Sequence, residues 1–342
     1  MSAPARLAPS SGRGRQLRTG FAALAVAGLA LSACGDGAGT SGTDDAVKPV
    51  NRLQIMAPAD PGGGWDSTAR AMSAAFEGSG LAKSTTVTNV PGAGGTIGLA
   101  QLANERSEDF LMVMGLVMVG AIETNQSPNT LDDVTPIARL TAEDEVIVVP
   151  AASPYQTIKD LGEDLKANGR KVAIAGGSAG GTDHILAGLL AKAAGASPAD
   201  LNYVAFSGGG ESLASLLGNK VAAGISGVSE YAEQIKAGKL RALAVSGPKR
   251  VEGVDAPTLT EGGYDVELIN WRGVVAPKGL SPAATDRLVD VVTKLHDSPE
   301  WKEALTKNDW TDTFLTGDEF ASFIKEEQAT TSTVLKDLGL VS

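Results

Sequence analysis

The stretch M56-A-P-A-D-P-G-G-G-W-D66 sets three glycines between a short apolar run and a segment with helical periodicity. A strand that ends in a glycine turn and restarts as a helix leaves the first helical N–H groups unpaired. With no Cβ in the way, a ligand can approach them closely. Four more loops share this form: V90-P-G-A-G-G-T-I-G98, G176-G-S-A-G-G-T-D-H184, F206-S-G-G-G-E211 and G224-I-S-G-V-S229. None of the five contains Lys or Arg. A helix N-terminus carries about half a positive charge, so several facing one cleft would hold an anion with uncharged groups alone. Any single loop is equally explained as a tight βα turn. Five at strand ends point to a binding site, because ligands in open α/β sheets sit beyond the carboxyl ends of the strands.

Outward from these loops the pattern is strand, glycine loop, helix. L53-Q-I-M-A57 reads as a strand and D66–F76 as a helix with Ala69, Met72 and Phe76 on one face. V87–V90 and T96–N104 repeat the unit, and F110-L-M-V-M114 is a continuous apolar run, as in a strand covered on both sides. A second block begins near E145-V-I-V-V149. Helices I158–L165, I185–K192, E211–L217 and S229–K236 alternate there with strands K171–A175, L201–F206, K220–I225 and L240–V245. W271-R-G-V-V-A276 reads as one more strand. Two long polar-faced helices follow, around Ser281–Lys307 and Gly317–Leu338, with no strands of their own to cover. They are expected to pack back onto the first block.

The chain has 342 residues, 43% apolar and only 4% aromatic, enough for two α/β units with Ala/Val/Leu/Ile cores. Its amino terminus is a separate object. Arg6, Arg13, Arg15 and Arg18 precede F21–L31, an apolar run too short for the roughly 20 residues of a membrane span. L31-S-A-C34 resembles a bacterial lipoprotein cleavage site, and Cys34 is the single cysteine in the chain. The bland alternative is a buried free cysteine, but Gly35–Pro49 is Gly, Ser, Thr and Asp, with too little apolar surface to fold. The expected mature protein is therefore anchored outside the cell membrane by lipid on Cys34. Losing residues 1–33 removes four arginines and no acid, so the net charge moves from −11 to −15. Nucleic acid is excluded as a partner, because phosphate binding needs basic stripes.

The sequence also contains partial signals for other chemistries. G176-G-S-A-G180 matches a nucleophile elbow, with Ser178 as nucleophile and His296 as the histidine placed downstream, which would make a secreted serine hydrolase. His296 lies in a helical stretch beside Asp297, an unusual seat for a triad base. G92–G98 is a weak nucleotide signal with no acid following at the required distance, and no loop carries the G-K-[ST] of a phosphate-binding loop. His184 and His296 are the only histidines, so neither a metal cluster nor a cofactor is expected. Asp66 reads as a ligand contact or an N-cap, His184 as an anion donor or a brace for its loop, and Glu211 as a first-turn acid. Trp65 and Trp271 read as pocket walls or packing at the junction of two lobes.

Taken in order, A57-P-A-D-P-G-G-G-W-D66, N89–G98, G176–H184, Y203–E211 and W271-R-G-V-V-A-P277 resemble the substrate-binding proteins of tripartite tricarboxylate transporters, the TctC or Bug family. The likeness runs from about Leu53 to the end. It implies an α/β, two-lobed type II periplasmic-binding-protein fold with a ligand cleft between lobes. It also implies delivery of the ligand to a large and a small integral-membrane subunit. Lobe 1 is expected from residues 51–148 and 247–342 and lobe 2 from 149–246, after a signal peptide (1–33) and a tether (34–50). The resemblance places a ligand carboxylate on main-chain amides of the first loop and its second-lobe partner. With the other glycine loops, the candidate contacts are Pro61, Gly62, Gly63, Gly64, Trp65, Asp66, Gly94, Gly95, Ser178, Ala179, Gly180, Gly181, Thr182, His184, Ser207, Gly208, Gly209 and Ser226. F206-S-G-G-G stands where many relatives have Y-K-G-G, which removes a lysine from the expected site. The expectation is a monomeric, non-enzymatic receptor for a di- or tricarboxylate such as citrate. A sensory receptor of the same fold is the other binding-protein reading.

Overall fold

The computed structural model describes residues 48–342; the expected signal peptide, Cys34 and nearly all of the expected tether lie outside the described residues. The first half alternates β1 (Leu53–Ala57), α1 (Gly64–Gly78), β2 (Thr85–Asn89), α2 (Thr96–Leu102), β3 (Phe110–Gly115) and α3 (Leu116–Thr124). Then comes one 17-residue strand, β4 (Val134–Pro150). The alternation resumes with α4 (Ile158–Asn168), β5 (Ala173–Gly176), α5 (Thr182–Ala193), β6 (Asn202–Ala205), α6 (Gly209–Leu217), β7 (Ala223–Gly227), α7 (Val228–Lys236) and β8 (Leu240–Val245). The chain finishes with β9 (Ile269–Pro277), α8 (Pro282–Asp297), α9 (Pro299–Lys307), β10 (Thr311–Thr316) and α10 (Gly317–Asp337).

The strands follow the order β2-β1-β3-β9-β4-β7-β5-β6, with β8 and β10 also paired to β4. β1 runs parallel to β2 and β3, and β5 runs parallel to β6 and β7. β4 is antiparallel to every strand it meets. Its pairing with β9 runs to Asp144↔Ile269, and its pairing with β7 starts at Glu145↔Gly227. A single strand thus passes from one sheet to the other, changing partners between Asp144 and Glu145. One apolar core draws on residues 50–142 and 271–324; two smaller cores draw on 146–266.

The elements differ from the sequence expectations in four places. α3 was not anticipated, because L116-V-M-V-G-A-I122 continues the apolar run of β3 and is buried nearly all round, which erases the 3.6-residue periodicity. β4 was recognised only over Glu145–Val149. The expected helix Ser281–Lys307 is two helices: Ser298, extended before Pro299, closes α8 and caps α9 with its hydroxyl on the Trp301 amide at 3.2 Å. The last helix does have a neighbouring strand, since β10 precedes it and pairs with β4; Thr and Asp in T311-D-T-F-L-T316 hid that edge strand.

Where β4 changes partners, Arg272 from β9 donates to Glu143 from β4, Nη2 to Oε1 at 2.8 Å and Nη1 to Oε2 at 3.3 Å, with each side chain only 2% exposed. Removing one member strands the other as a buried charge. Arg272→Met or Glu143→Leu alone is therefore expected to cost about 3–5 kcal/mol. The double variant is expected to lose clearly less than the sum, as measured by urea denaturation in a double-mutant cycle.

Candidate ligand-binding site

Helix starts gather around one cavity of about 240 Å³. Its wall includes Gly63, Gly64 and Trp65 at the start of α1, Gly92–Gly95 before α2, and Val117 in α3. Across from them lie Gly177, Ser178, Ala179 and Asp183 before and within α5, Ala205–Gly209 before α6, and Gly227 and Glu230 at α7. Pro58, Ala59, Asn125, Asn270 and Arg272 complete it. The five glycine stretches singled out in the sequence thus all reach one hollow, each at or beside a helix N-terminus.

Local bonds hold every loop. Asp66 Oδ2 accepts from the Gly62 amide at 2.9 Å and from Arg70 Nε at 2.8 Å, while Oδ1 accepts from Asn89 Nδ2 at 2.9 Å. Burial works against this carboxylate, but the bonds from Arg70, Gly62 and Asn89 outweigh it and hold its pKa below the ordinary value. Asn125 Nδ2 donates to the Ala93 carbonyl at 2.9 Å. Gly95, at φ +87°, lies so close to the Trp65 ring that a Cβ would stand 2.6 Å from it. The third loop is braced by Tyr203, whose hydroxyl donates to the Gly177 carbonyl at 2.8 Å and whose ring stacks on His184 at 4.1 Å. The Gly180 amide donates to His184 Nδ1 at 3.0 Å, so the imidazole accepts there. Burial lowers the His184 pKa to about 4.

Of the sequence-derived candidates, Gly63, Gly64, Trp65, Gly94, Gly95, Ser178, Ala179, Ser207, Gly208 and Gly209 line the cavity. Pro61 lines a smaller adjoining hollow with Asp60, Gly210 and Glu211. Gly62, which is exposed, and Asp66, Gly180, Gly181, Thr182, His184 and Ser226 are not among the lining residues. Asp66 is not an N-cap, because Gly63 holds that position and Asp66 lies three residues further in, where its carboxylate ties the loop together. His184 is the brace. Thr182 donates to Asn270 Oδ1 at 3.4 Å, and Ser226 donates to Glu230. Glu211 accepts from the Ser207 amide at 3.2 Å in the first turn of α6. Trp65 faces the cavity, whereas Trp271 is packed against Phe320 and Phe323 and donates to Glu327 at 2.8 Å. His296 is bonded to Asp297 and Asp312 at 3.1 and 2.9 Å and is absent from the cavity wall that holds Ser178.

The expectation that only uncharged groups meet there needs correcting. Arg272 lines the cavity, and it is surrounded by acids that the glycine motifs did not reveal. Burial pushes Asp183 up to about 7, against a 2.6 Å bond from the Gly177 amide and with help from Glu230. Glu230 is raised by burial and by Glu143, against the Ser226 hydroxyl. Glu145 is fully buried and driven well above its usual value by burial, then by Asp183, Glu143 and Glu230. Burial alone would lower Arg272, but Glu143 outweighs it and the guanidinium is held charged. W271-R-G, read as a strand, contained the one available signal: a lone arginine in an otherwise apolar run.

The sequence profile described as "Tripartite tricarboxylate transporter family receptor" matches residues 69–340. The chain belongs to that family. Protein BugT of Bordetella pertussis is 28% identical over 323 residues, covering 92% of this chain and 97% of BugT. The solved structure of the periplasmic binding protein BugD superposes with a TM-score of 0.76 at 25% identity, over 86% of this chain and 99% of BugD. MatC of Rhodopseudomonas palustris, solved with bound malate, shares the fold at 22% identity with a TM-score of 0.74, over 84% of this chain and 100% of MatC. The receptor is thus a solute-binding protein of the TctC/Bug type rather than an enzyme of the hydrolase class, and the cavity lies where its two sheets adjoin.

His184 yields a pH signature. Its folded pKa of about 4 lies below its ordinary 6.5, so the unfolded chain binds the extra proton between these values. Its contribution is present above about pH 6.5 and lost as pH falls towards 4. His184→Gln is expected to flatten that part of the melting-temperature profile, checked by calorimetric scans of both proteins across this range.

Proposed function

We propose that this receptor captures a small di- or tricarboxylate outside the cytoplasmic membrane, held there by lipid on Cys34. It hands the ligand to the large and small membrane subunits of a tripartite tricarboxylate transporter. The observation that carries the reading is the convergence of five glycine-led helix starts on one cavity. Unpaired N–H groups at such ends favour negative charge, and several aimed at one point make a carboxylate seat. Malate bound by MatC is in keeping with a ligand of this size and class. The candidate contacts are the lining residues Gly63–Trp65, Gly94, Gly95, Ser178, Ala179 and Ser207–Gly209, with the groups behind them holding the loops in place. Residues 51–148 with 247–342, and residues 149–246, act as the lobes that close on the ligand. Closure is stabilised by contacts that exist only when both touch it.

A thermal-shift screen with malate, succinate, glutarate and citrate tests the ligand class. At least one is expected to raise the melting temperature, since a ligand at a hundred times its Kd adds about 2.7 kcal/mol. No shift with any carboxylate refutes the reading. A Cβ at Gly63 would stand 3.5 Å from the Asp60 carbonyl and 3.8 Å from Glu230 Oε1, both ordinary contacts. Gly63→Val is accordingly expected to fold normally while weakening binding more than about tenfold, read by titration calorimetry. Cys34→Ser is expected to move the protein from the membrane fraction to the soluble extracytoplasmic fraction.

A further inference from the structure

Beside the cavity, four carboxylates share one guanidinium. Arg272 is the only basic side chain among the described residues lining the hollow, and both of its terminal nitrogens are committed to Glu143. Asp183, Glu145 and Glu230 are left without a cation of their own. A short chain of bonds links the first two: Thr182, next to Asp183, donates to Asn270 Oδ1 at 3.4 Å, and Asn270 Nδ2 donates to Glu145 Oε1 at 2.7 Å. Glu145 is fully buried, and its Oε2 is sealed from solvent with no hydrogen-bond partner. After burial itself, the strongest influence on that carboxyl is Asp183, so the orphaned acceptor belongs with this pair. Glu230 is better supplied, with Ser226 donating to Oε2 and the Gly64 amide favouring its ionised form.

Asp183 lies in the first turn of α5 and lines the cavity, its Oδ2 accepting from the Gly177 amide at 2.6 Å. The charged groups around it are Glu143 and Glu145 from β4 and Glu230 from α7, with Arg272 of β9 tied to Glu143. Tyr203 of β6 and Tyr231 of α7 face it as neutral phenols. On its own helix, His184 accepts from the Gly180 amide, and Lys192 at the far end is paired with Asp337 at 3.3 Å. α3 meets the loop through Val117 and Thr124, both uncharged, while α4 and α10 approach α5 further along, at Gly195 and Gly188. None of these gives Asp183 a cation. A buried carboxylate among like charges holds a proton more tightly, and an anion brought into the same space adds to this. Burial, opposed by the Gly177 amide and helped by Glu230, already pushes Asp183 up to about 7. The sealed oxygens of Glu145 and Glu230 are out of a ligand's reach, so the species that can discharge the cluster is a proton from solvent.

We propose that the receptor takes up one proton together with its anion, and that the Asp183 carboxyl is the site that holds it. This rests on the carboxylate reading above and adds a regulation of that site. Bound anion raises Asp183 further, so affinity is full below about pH 7 and falls as pH rises, until the bound-state value is passed.

Titration calorimetry at about pH 8 in HEPES and in Tris, whose heats of ionisation differ, counts the protons taken up with malate, succinate or glutarate, all ionised there. For an acid that binds, the expected uptake is about 0.3 to 1 proton per ligand, with affinity weakening about threefold to tenfold from pH 7 to pH 8.5. Zero uptake, or release, overturns the inference and leaves the carboxylate reading standing. Asp183→Asn keeps an acceptor for the Gly177 amide. It is expected to take up less than about 0.1 proton, to flatten the pH profile, and to bind more tightly than the wild type at about pH 8.5. Unchanged uptake in this variant overturns the assignment. A second measurement needs no variant: adding the same acid to the wild-type protein at about pH 8 is expected to raise the infrared C=O band of a protonated carboxyl, and no rise overturns the proposal. Failure of the three acids and citrate to bind removes the carboxylate reading and this inference with it.

Discussion

The Arg272 guanidinium is the constraint on which the centre of this molecule depends. It is buried at the point where β4 leaves one sheet for the other, and it is the basic side chain among the buried charged residues described. Four carboxylates interact there: Glu143 directly, and Glu145, Asp183 and Glu230 through the shared low-dielectric interior. One positive charge cannot offset all of them, so burial drives three of the acids towards their protonated forms. The fold tolerates this because β4 and β9 hold the pair in a two-bond geometry. Elements on both sides supply further donors, including the Gly177 amide and the Asn270 side chain.

That arrangement alters the meaning of the glycine loops. As isolated motifs they describe a neutral receptor for an anion. In the folded chain, several of them also make room for charged side chains: among these, a Cβ on Gly64 would collide with the Arg272 guanidinium, and one on Gly227 with the Glu143 carboxylate. Glycine at these positions thus combines close approach of backbone to ligand with close approach of backbone to a buried ion pair. Cavity and charge cluster share the same junction, so the site and the stability of the crossing strand are coupled through the same few atoms.

Much of the architecture was legible in local patterns. Alternating strand, glycine and helix located most elements to within a few residues, and the five motifs in order identified the family that the profile match establishes. The losses have particular causes. α3 is apolar all round, so its period vanished; β10 is a polar edge strand; Pro299 splits what read as one helix. Within the site, the loop residues were found but their roles were mixed. Asp66, His184, Thr182 and Ser226 brace the wall from behind, a distinction set by side-chain direction rather than by position along the chain.

From the sequence alone came the placement of bare helix starts at strand ends, because glycine spacing and hydrophobic period are local properties that need no partner to be read. Only the tertiary structure brought Glu143 and Arg272, 129 positions apart, into one buried pair and turned Asp183 and Glu230 towards the same hollow. Charge is read along a chain as a sum, but its effect is governed by distance and dielectric, and both are defined only once the two sheets have closed around β4.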